Sequence, residues 1–292
     1  MDNSNWLGTT LTGQFSLAGA QAKTALLYKD GRWGVPSGAM PTTHILKPAI
    51  AGLDEHDLNE HLCLDAARRA GLLVVRTHVQ RFGEESALIV RRYDRAIRGD
   101  RVLRVHQEDI CQALALPPSR KYQNQGGPTV RDVSALLRRT MPGKQAEDAV
   151  WRFADALIWN WLIGGTDAHA KNYSLLLRHN AVRLAPLYDI ASALPYGDHE
   201  KGLRLAMKIG KGYELNPYRN RWPVAASDLG LNADKVVGRV LELSAAAPAA
   251  FADAAKATEV AQLRSELPAR LTDLVAERAS RCARLCIQTP PS

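Results

Sequence analysis

GGTDAHAKNYSLLL, residues 164–177, lies between two segments that both belong in a core. Ahead of it runs WRFADALIWNWLI (151–163), where Ala154, Leu157, Ile158, Trp161 and Leu162 recur at helical spacing and would share one face. Behind it YSLLLRHNAVRL (173–184) reads as a hairpin. Between the two, after Gly164-Gly165, stand Asp167, His169, Lys171 and Asn172. A further loop, RLAPLYDIASALP (183–195), brings Asp189 in after another apolar run. An Asp, an Asn shortly after it, and a second Asp beyond a hairpin is the order of groups in protein kinases. There the first Asp handles the proton of the substrate hydroxyl, and the Asn and second Asp hold Mg²⁺. Mg²⁺ prefers hard oxygen donors, and apolar flanks would anchor them rigidly. Asp167 and Asn172 capping neighbouring elements is the plainer alternative; the joint pattern favours a site.

Working outward, the first third reads as strands around one helix. TALLYKDGRW (24–33) carries the turn signal Asp30-Gly31 between apolar runs. THILKP (43–48) is a short strand ending at Pro48. DEHDLNEHLCLDAARRAGL (54–72) places Leu58, Leu62, Ala66 and Ala70 at helical spacing, with Gly71 as its stop. VVRTHVQRF (74–82) and SALIVRRYDR (86–95) read as two more strands. Beyond residue 104 the pattern turns helical: HQEDICQALAL (106–116), DVSALLRR (132–139), EDAVWRFADALIWNWLI (147–163), and an Ala-, Leu- and Arg-rich remainder from about 224. The expectation is an α+β chain, with a small sheet-rich lobe over 1–104, a larger helical lobe over 105–292, and a ligand cleft between them.

Composition bounds the class. The 292 residues are 46% hydrophobic and 23% charged, ordinary for a globular chain with a sizeable core. No apolar run has the length of a membrane span, and MDNSNWLGTTLTGQ lacks the basic and apolar regions of a secretory signal. Cys63, Cys111, Cys282 and Cys286 are too scattered for a disulfide framework, which points to reduced thiols and a cytoplasmic setting. Cys282 and Cys286 share a helix face but are too few for a closed zinc site. A net charge of +8 and a pI of about 9.4 favour anionic partners.

A kinase also needs a lysine on an N-lobe strand and a loop over the phosphates. Lys47 in HILKP precedes the helix carrying Glu60, its candidate ion-pair partner, although a solvated helix face explains Glu60 equally well. SLAGAQAK (16–23) offers Gly19 among small residues, then Lys23, and backbone N–H groups in such a turn can cradle phosphate oxygens. It contains neither a Walker A motif nor GxGxxG.

Taken together, SLAGAQAKTALL, TTHILKP, LNEHLCLDAARRAGL, HQEDICQALALPPSRKYQNQGGP, WLIGGTDAHAKNYSLLL and PLYDIASALP resemble the HipA toxin kinases of bacterial toxin–antitoxin systems, in order from about residue 14 to 210. The resemblance implies a two-lobed protein-kinase-like fold and an ATP- and Mg²⁺-dependent serine/threonine kinase. It implies Asp167 as the catalytic aspartate, Asn172 and Asp189 as metal ligands, and Lys47 as the ATP-phosphate lysine. Ala18, Gly19, Ala20, Gln21, Ala22 and Lys23 would form the nucleotide-covering loop. Arg91, Arg92 and Tyr93 would meet adenine at the hinge, and His169, Ala170, Lys171, Asn172, Tyr188 and Asp189 would line the nucleotide site. Ser16 matches a serine that the family autophosphorylates, which ejects the loop and silences the enzyme.

The implied substrate is an aminoacyl-tRNA synthetase whose modification arrests translation. The implied partner is a HipB-like helix-turn-helix antitoxin, which would bring operator DNA indirectly; no membrane is involved. The family's N-terminal subdomain is expected to be absent here, supplied as a separate HipS-like protein or lost by truncation. Ala22 stands where the family often has Glu, and Arg91 replaces an acidic hinge residue. The competing reading is a truncated, inactive module that binds an antitoxin–operator complex; a small-molecule kinase would share the same Asp/Asn/Asp logic. RRYDRAIRGDRVLR (91–104), with six arginines, is expected to be a solvated hairpin and lobe linker. KIGKGYELNP (208–217) reads as a turn or a substrate or DNA contact.

Overall fold

The computed structural model of the chain describes residues 22–36, 40–50, 52–99, 101–197, 202–218 and 220–287. Ser16, Ala18, Gly19, Ala20 and Gln21 lie outside the described residues. The chain is α+β. β1 (Thr24–Lys29) turns at Asp30-Gly31 into β2 (Arg32–Gly34), and β3 (His44–Pro48) leads into α1 (His56–Arg69). β4 (Thr77–Phe82) and β5 (Glu85–Arg91) complete an antiparallel five-stranded sheet of order β2-β1-β3-β5-β4. The period-2 alternation of β5 explains its place: Leu88 and Val90 face the main core, while Ile89 joins Leu26 and Leu46 in a small cluster with Trp33 and Phe82.

β6 (Arg95–Arg98) and β7 (Arg101–Arg104) form a separate antiparallel hairpin. The hairpin is largely exposed, as expected of a solvated linker, but its root is not. Asp94 is buried and accepts from Arg92 and Arg95 at 2.7 Å each, and Arg95 Nε also donates to Thr42 O. A buried carboxylate needs paired donors, and these two arginines supply them.

The helical reading of HQEDICQALAL is corrected in its first half. His106–Asp109 is a strand, β8, paired with β9 (Ser174–Arg178) so that Asp109 faces Ser174. Only Ile110–Ala113 is helical (α2). Asp109 and Gln112 form its capping box, and Ala115, at φ +55°, closes it ahead of Pro117. Pairing with a distant strand overrides the local helical period. β10 (Ala181–Leu184) completes the β10-β9-β8 sheet.

α3 (Val130–Thr140) and α4 (Gly143–Ile163) follow the expected helices. β11 (Arg204–Ile209) and β12 (Gly212–Glu214) make KIGKGYELNP part of a hairpin. α5 (Arg221–Leu229), α6 (Ala233–Ala255), α7 (Thr258–Ala261) and α8 (Leu267–Ile287) supply the helical remainder. α4 is the centre of that lobe: Phe153, Trp159 and Trp161 are fully buried, each contributing about 1.5–3 kcal/mol by burial. α1 is buried from Asp57 to Leu64; Trp159 Nε1 donates to Cys63 O, so the central helix of one lobe is bonded to the helix of the other. One continuous apolar core therefore runs from Leu88 through Leu62 and Ile158 to Val275. Cys63, Cys111 and Cys282 are buried, and no disulfide joins any of the four cysteines. Among the described residues no helix is long and apolar enough to cross a membrane.

Candidate active site

The polar cluster of the opening stretch is held by the way α4 ends. Gly164 caps the helix in the left-handed region, φ +71°. Gly165 follows because the Asn160 side-chain oxygen occupies the place of a Cβ. Asn160 Nδ2 returns to Ala156 O, so that side chain is fixed in turn. The chain then runs through Thr166 to Asp167, whose carbonyl accepts from His169 N–H at 2.7 Å and from Asn172 Nδ2 at 2.8 Å. These two bonds fold residues 167–172 into a compact loop. They leave the Asp167 side chain 68% exposed.

Lys47 is the centre of charge. Its Nζ reaches Glu60 Oε1 at 2.7 Å, Glu60 Oε2 at 3.0 Å and Asp189 Oδ1 at 2.7 Å. β3 presents the lysine, α1 the glutamate, and the segment after β10 the second aspartate. Burial alone would lower the Lys47 pKa, but the two carboxylates outweigh it and hold the ammonium above its ordinary value. Burial, with the neighbouring Asp189 charge, outweighs the pull of Lys47 and pushes the Glu60 carboxyl up to about 7, while both its oxygens stay on Nζ. For Asp189 the attraction of Lys47 outweighs burial and holds the carboxyl below the usual range. Lys23 stands close enough to feel Lys47, Asp189 and Glu60, and burial and the Lys47 charge lower its pKa.

Asn59, beside Glu60, ties α1 to the segment after Asp189. Its Nδ2 donates to Ser192 O and its Oδ1 accepts from Ser192 N–H. Asp189 itself adopts φ +58°, a left-handed conformation that aims its carboxylate back at Lys47. Asn172, Tyr188 and Asp189 line one small pocket with Asn160, Ala168 and Tyr173.

The remaining expected residues are placed as follows. His169 is buried, with Nδ1 unpartnered and Nε2 at 4.0 Å from Asp167 Oδ2. Ala170 is fully buried and its N–H donates to Lys121 O. The Lys171 side chain turns away to Asp109 Oδ2 at 2.5 Å. Tyr188 OH donates to Lys171 O and shares a hydrogen bond with Ser174. Tyr93 stacks on Tyr188 and donates to Gln107 Oε1. Arg92 is committed to Asp94 and Thr42, and the Arg91 N–H to Arg76 O. Of the covering loop only Ala22 and Lys23 are described. Sequence reasoning missed Tyr122, Asp109, Asn59 and Ser192. The one available signal was polarity at positions that turn out to be buried: Asn59 is fully buried on a helix otherwise rich in Leu and Ala.

The donor set fits Mg²⁺. Asn172 uses its nitrogen on Asp167 O, which leaves its side-chain oxygen available, and Asp189 uses only Oδ1 on Lys47. No cluster of three or more His, Cys, Asp or Glu occurs among the described residues. Two oxygen ligands suit an ion that completes its shell with water and phosphate.

Residues 15–251 match the model of the HipA-like C-terminal domain. Y4mE of Sinorhizobium fredii, a protein named as a kinase, is 37% identical over 268 residues, which cover 91% of this chain and 63% of that one. The serine/threonine-protein kinase toxin HipA of Shewanella oneidensis is 31% identical over 278 residues, covering 88% of this chain and 63% of the relative. The chain thus spans just under two thirds of the length of these relatives. In structure, HipA of the Shewanella oneidensis HipA–HipB–operator DNA complex superposes with a TM-score of 0.81 at 24% identity, over 94% of this chain and 66% of that one. The Helicobacter pylori proinflammatory kinase CtkA gives 0.65 at 13% identity, over 94% and 93%. The fold is the two-lobed, kinase-like one.

Proposed function

The chain belongs to the HipA-like C-terminal domain family, and from that premise we propose that it is an ATP-dependent serine/threonine protein kinase, the toxin of a toxin–antitoxin pair. One observation carries the reading: Lys47 reaches Glu60 and Asp189 at 2.7 Å each, and Asp189 lines one pocket with Asn172, whose amide donates to Asp167 O. The names of the two relatives support it.

In this reading Lys47 binds the ATP phosphates and Glu60 keeps it aimed. Asn172 and Asp189 would hold Mg²⁺, which supplies positive charge against the phosphate oxygens. Asp167 takes the proton of a Ser or Thr hydroxyl as that oxygen bonds to the γ-phosphorus. The bond from the γ-phosphorus to the β,γ-bridging oxygen breaks, and ADP leaves with its electron pair. Exposure of Asp167 suits a group that must meet a macromolecular substrate.

The finer expectations belong here as well. The substrate is an aminoacyl-tRNA synthetase in the cytoplasm, and its modification arrests translation. The partner is a HipB-like antitoxin carrying operator DNA; the neighbouring HipA structure contains those two components. A HipS-like subdomain protein would be a second partner, and Ser16 would be the self-phosphorylated residue. A labelled-ATP assay of wild type and Asp167→Ala, with and without Mg²⁺ and followed by mass spectrometry, tests the reading. Mg²⁺-dependent phosphate on Ser16 or on an added synthetase in wild type alone is the expected result. Incorporation that persists in Asp167→Ala would sink the assignment of the base.

A further inference from the structure

Among the described residues outside the catalytic loop, one side chain reaches the Asp167 carboxylate. Tyr122 OH donates to Asp167 Oδ1 at 2.6 Å. The other near group, His169 Nε2, is 4.0 Å from Oδ2, beyond hydrogen-bond range. Asp167 otherwise stands in solvent, where a carboxylate samples several rotamers.

Tyr122 does not reach it by chance of a loose loop. Residues 118–120 and 123–125 form two short 3-10 turns around it. Gly127 N–H closes the loop on Tyr122 O at 2.9 Å, and a Cβ at Gly127 would fall 2.5 Å from Arg120 O and 2.6 Å from Tyr122 O. On one side Lys121 O accepts from Ala170 N–H of the catalytic loop. On the other, Gln123 Oε1 accepts from Lys208 N–H of β11. The Tyr122 ring meets His169 edge-on with centroids 5.2 Å apart, and Lys121 Nζ lies 4.9 Å from its centroid. Backbone, ring and hydroxyl are each fixed.

We propose that Tyr122 is a positioning residue for phosphoryl transfer: its hydroxyl pins Asp167 through Oδ1 and leaves Oδ2 turned to the acceptor hydroxyl. This rests on the kinase reading above. Tyr122 keeps its proton throughout, and the acceptor's proton goes to Asp167. The gain is geometric, since a misplacement of about 1 Å at a reacting group costs on the order of 100-fold in rate.

The test is Tyr122→Phe in the full chain, which keeps the ring and removes the donor. With labelled ATP, Mg²⁺ and either the chain itself or myelin basic protein as acceptor, the saturating rate should fall on the order of 10- to 100-fold. The ATP concentration for half-saturation and the melting temperature should not move, which a merely structural role would not produce. Fluorotyrosine at position 122, which restores the O–H, should restore the rate. An unchanged rate in Tyr122→Phe overturns the proposal and leaves the kinase reading standing. A raised rate also overturns it, and makes Tyr122 a plug that the substrate must displace. A wild type that labels neither acceptor overturns the kinase reading, and this inference with it.

Discussion

Two aspartates of the site are held in different ways. Asp189, its side chain 44% exposed, is held by Lys47, which is itself buried and shared with the fully buried Glu60. Asp167 is 68% exposed and, among the described residues, held through its carboxylate by one phenol. The first arrangement fixes the carboxylate on a buried ammonium, because a cation out of water cannot lose a partner cheaply. The second gives up that rigidity for access. Phosphate binding needs a permanent cation, whereas a base must release its proton and admit a protein substrate.

The contrast predicts a ladder of effects. The largest is Asp167→Ala: phosphate transfer should fall on the order of 1000-fold, while urea denaturation stays within about 0.5 kcal/mol of wild type, as expected for an exposed site. A large stability loss there would erase the contrast. Next, Glu60→Gln should cost about 3–5 kcal/mol by the same denaturation, since it leaves Lys47 buried with half its counter-charge.

Asp94→Asn sharpens the comparison away from the cleft. Burial would raise the Asp94 pKa, but hydrogen bonds and charge from Arg92, with the charge of Arg95, hold it below the ordinary value. A depressed folded pKa stabilises the fold at pH above the unfolded value of about 3.9, and that contribution fades as pH falls through the folded pKa. The variant should therefore lose about 2–3 kcal/mol at neutral pH, and the gap from wild type should narrow below about pH 4. A gap independent of pH would mean that packing, not charge, is at stake. The smallest step is Arg68→Ala. Arg68 meets Asp65 at 2.6 Å with its side chain 51% exposed, and its loss should cost less than about 0.5 kcal/mol in thermal or urea unfolding.

Much of the fold was legible in the residues. The Asp30-Gly31 turn, β3 with Lys47, α1 stopping at Gly71, and the β9–β10 hairpin stand where periodicity and turn chemistry put them. HQEDICQALAL was misread, because its helical spacing is genuine but Asp109 and its neighbours bond instead to β9, far along the chain. At the site, Glu60 was a weak candidate since a surface helix face carries glutamates too; only its burial beside Lys47 distinguishes it. Tyr122 was invisible, as nothing in a loop sequence tells which aspartate a tyrosine will meet.

The sequence by itself determined the elements and the polar loop between two apolar segments, because helix and strand periods, glycine stops and turns are local properties of the chain. Only the tertiary structure decided which charges meet. Lys47 and Asp189 are 142 positions apart, and Tyr122 and Asp167 are 45. Their pairing depends on how the buried α1 and the end of α4 are packed, and a one-dimensional pattern reports which face is buried without saying against what.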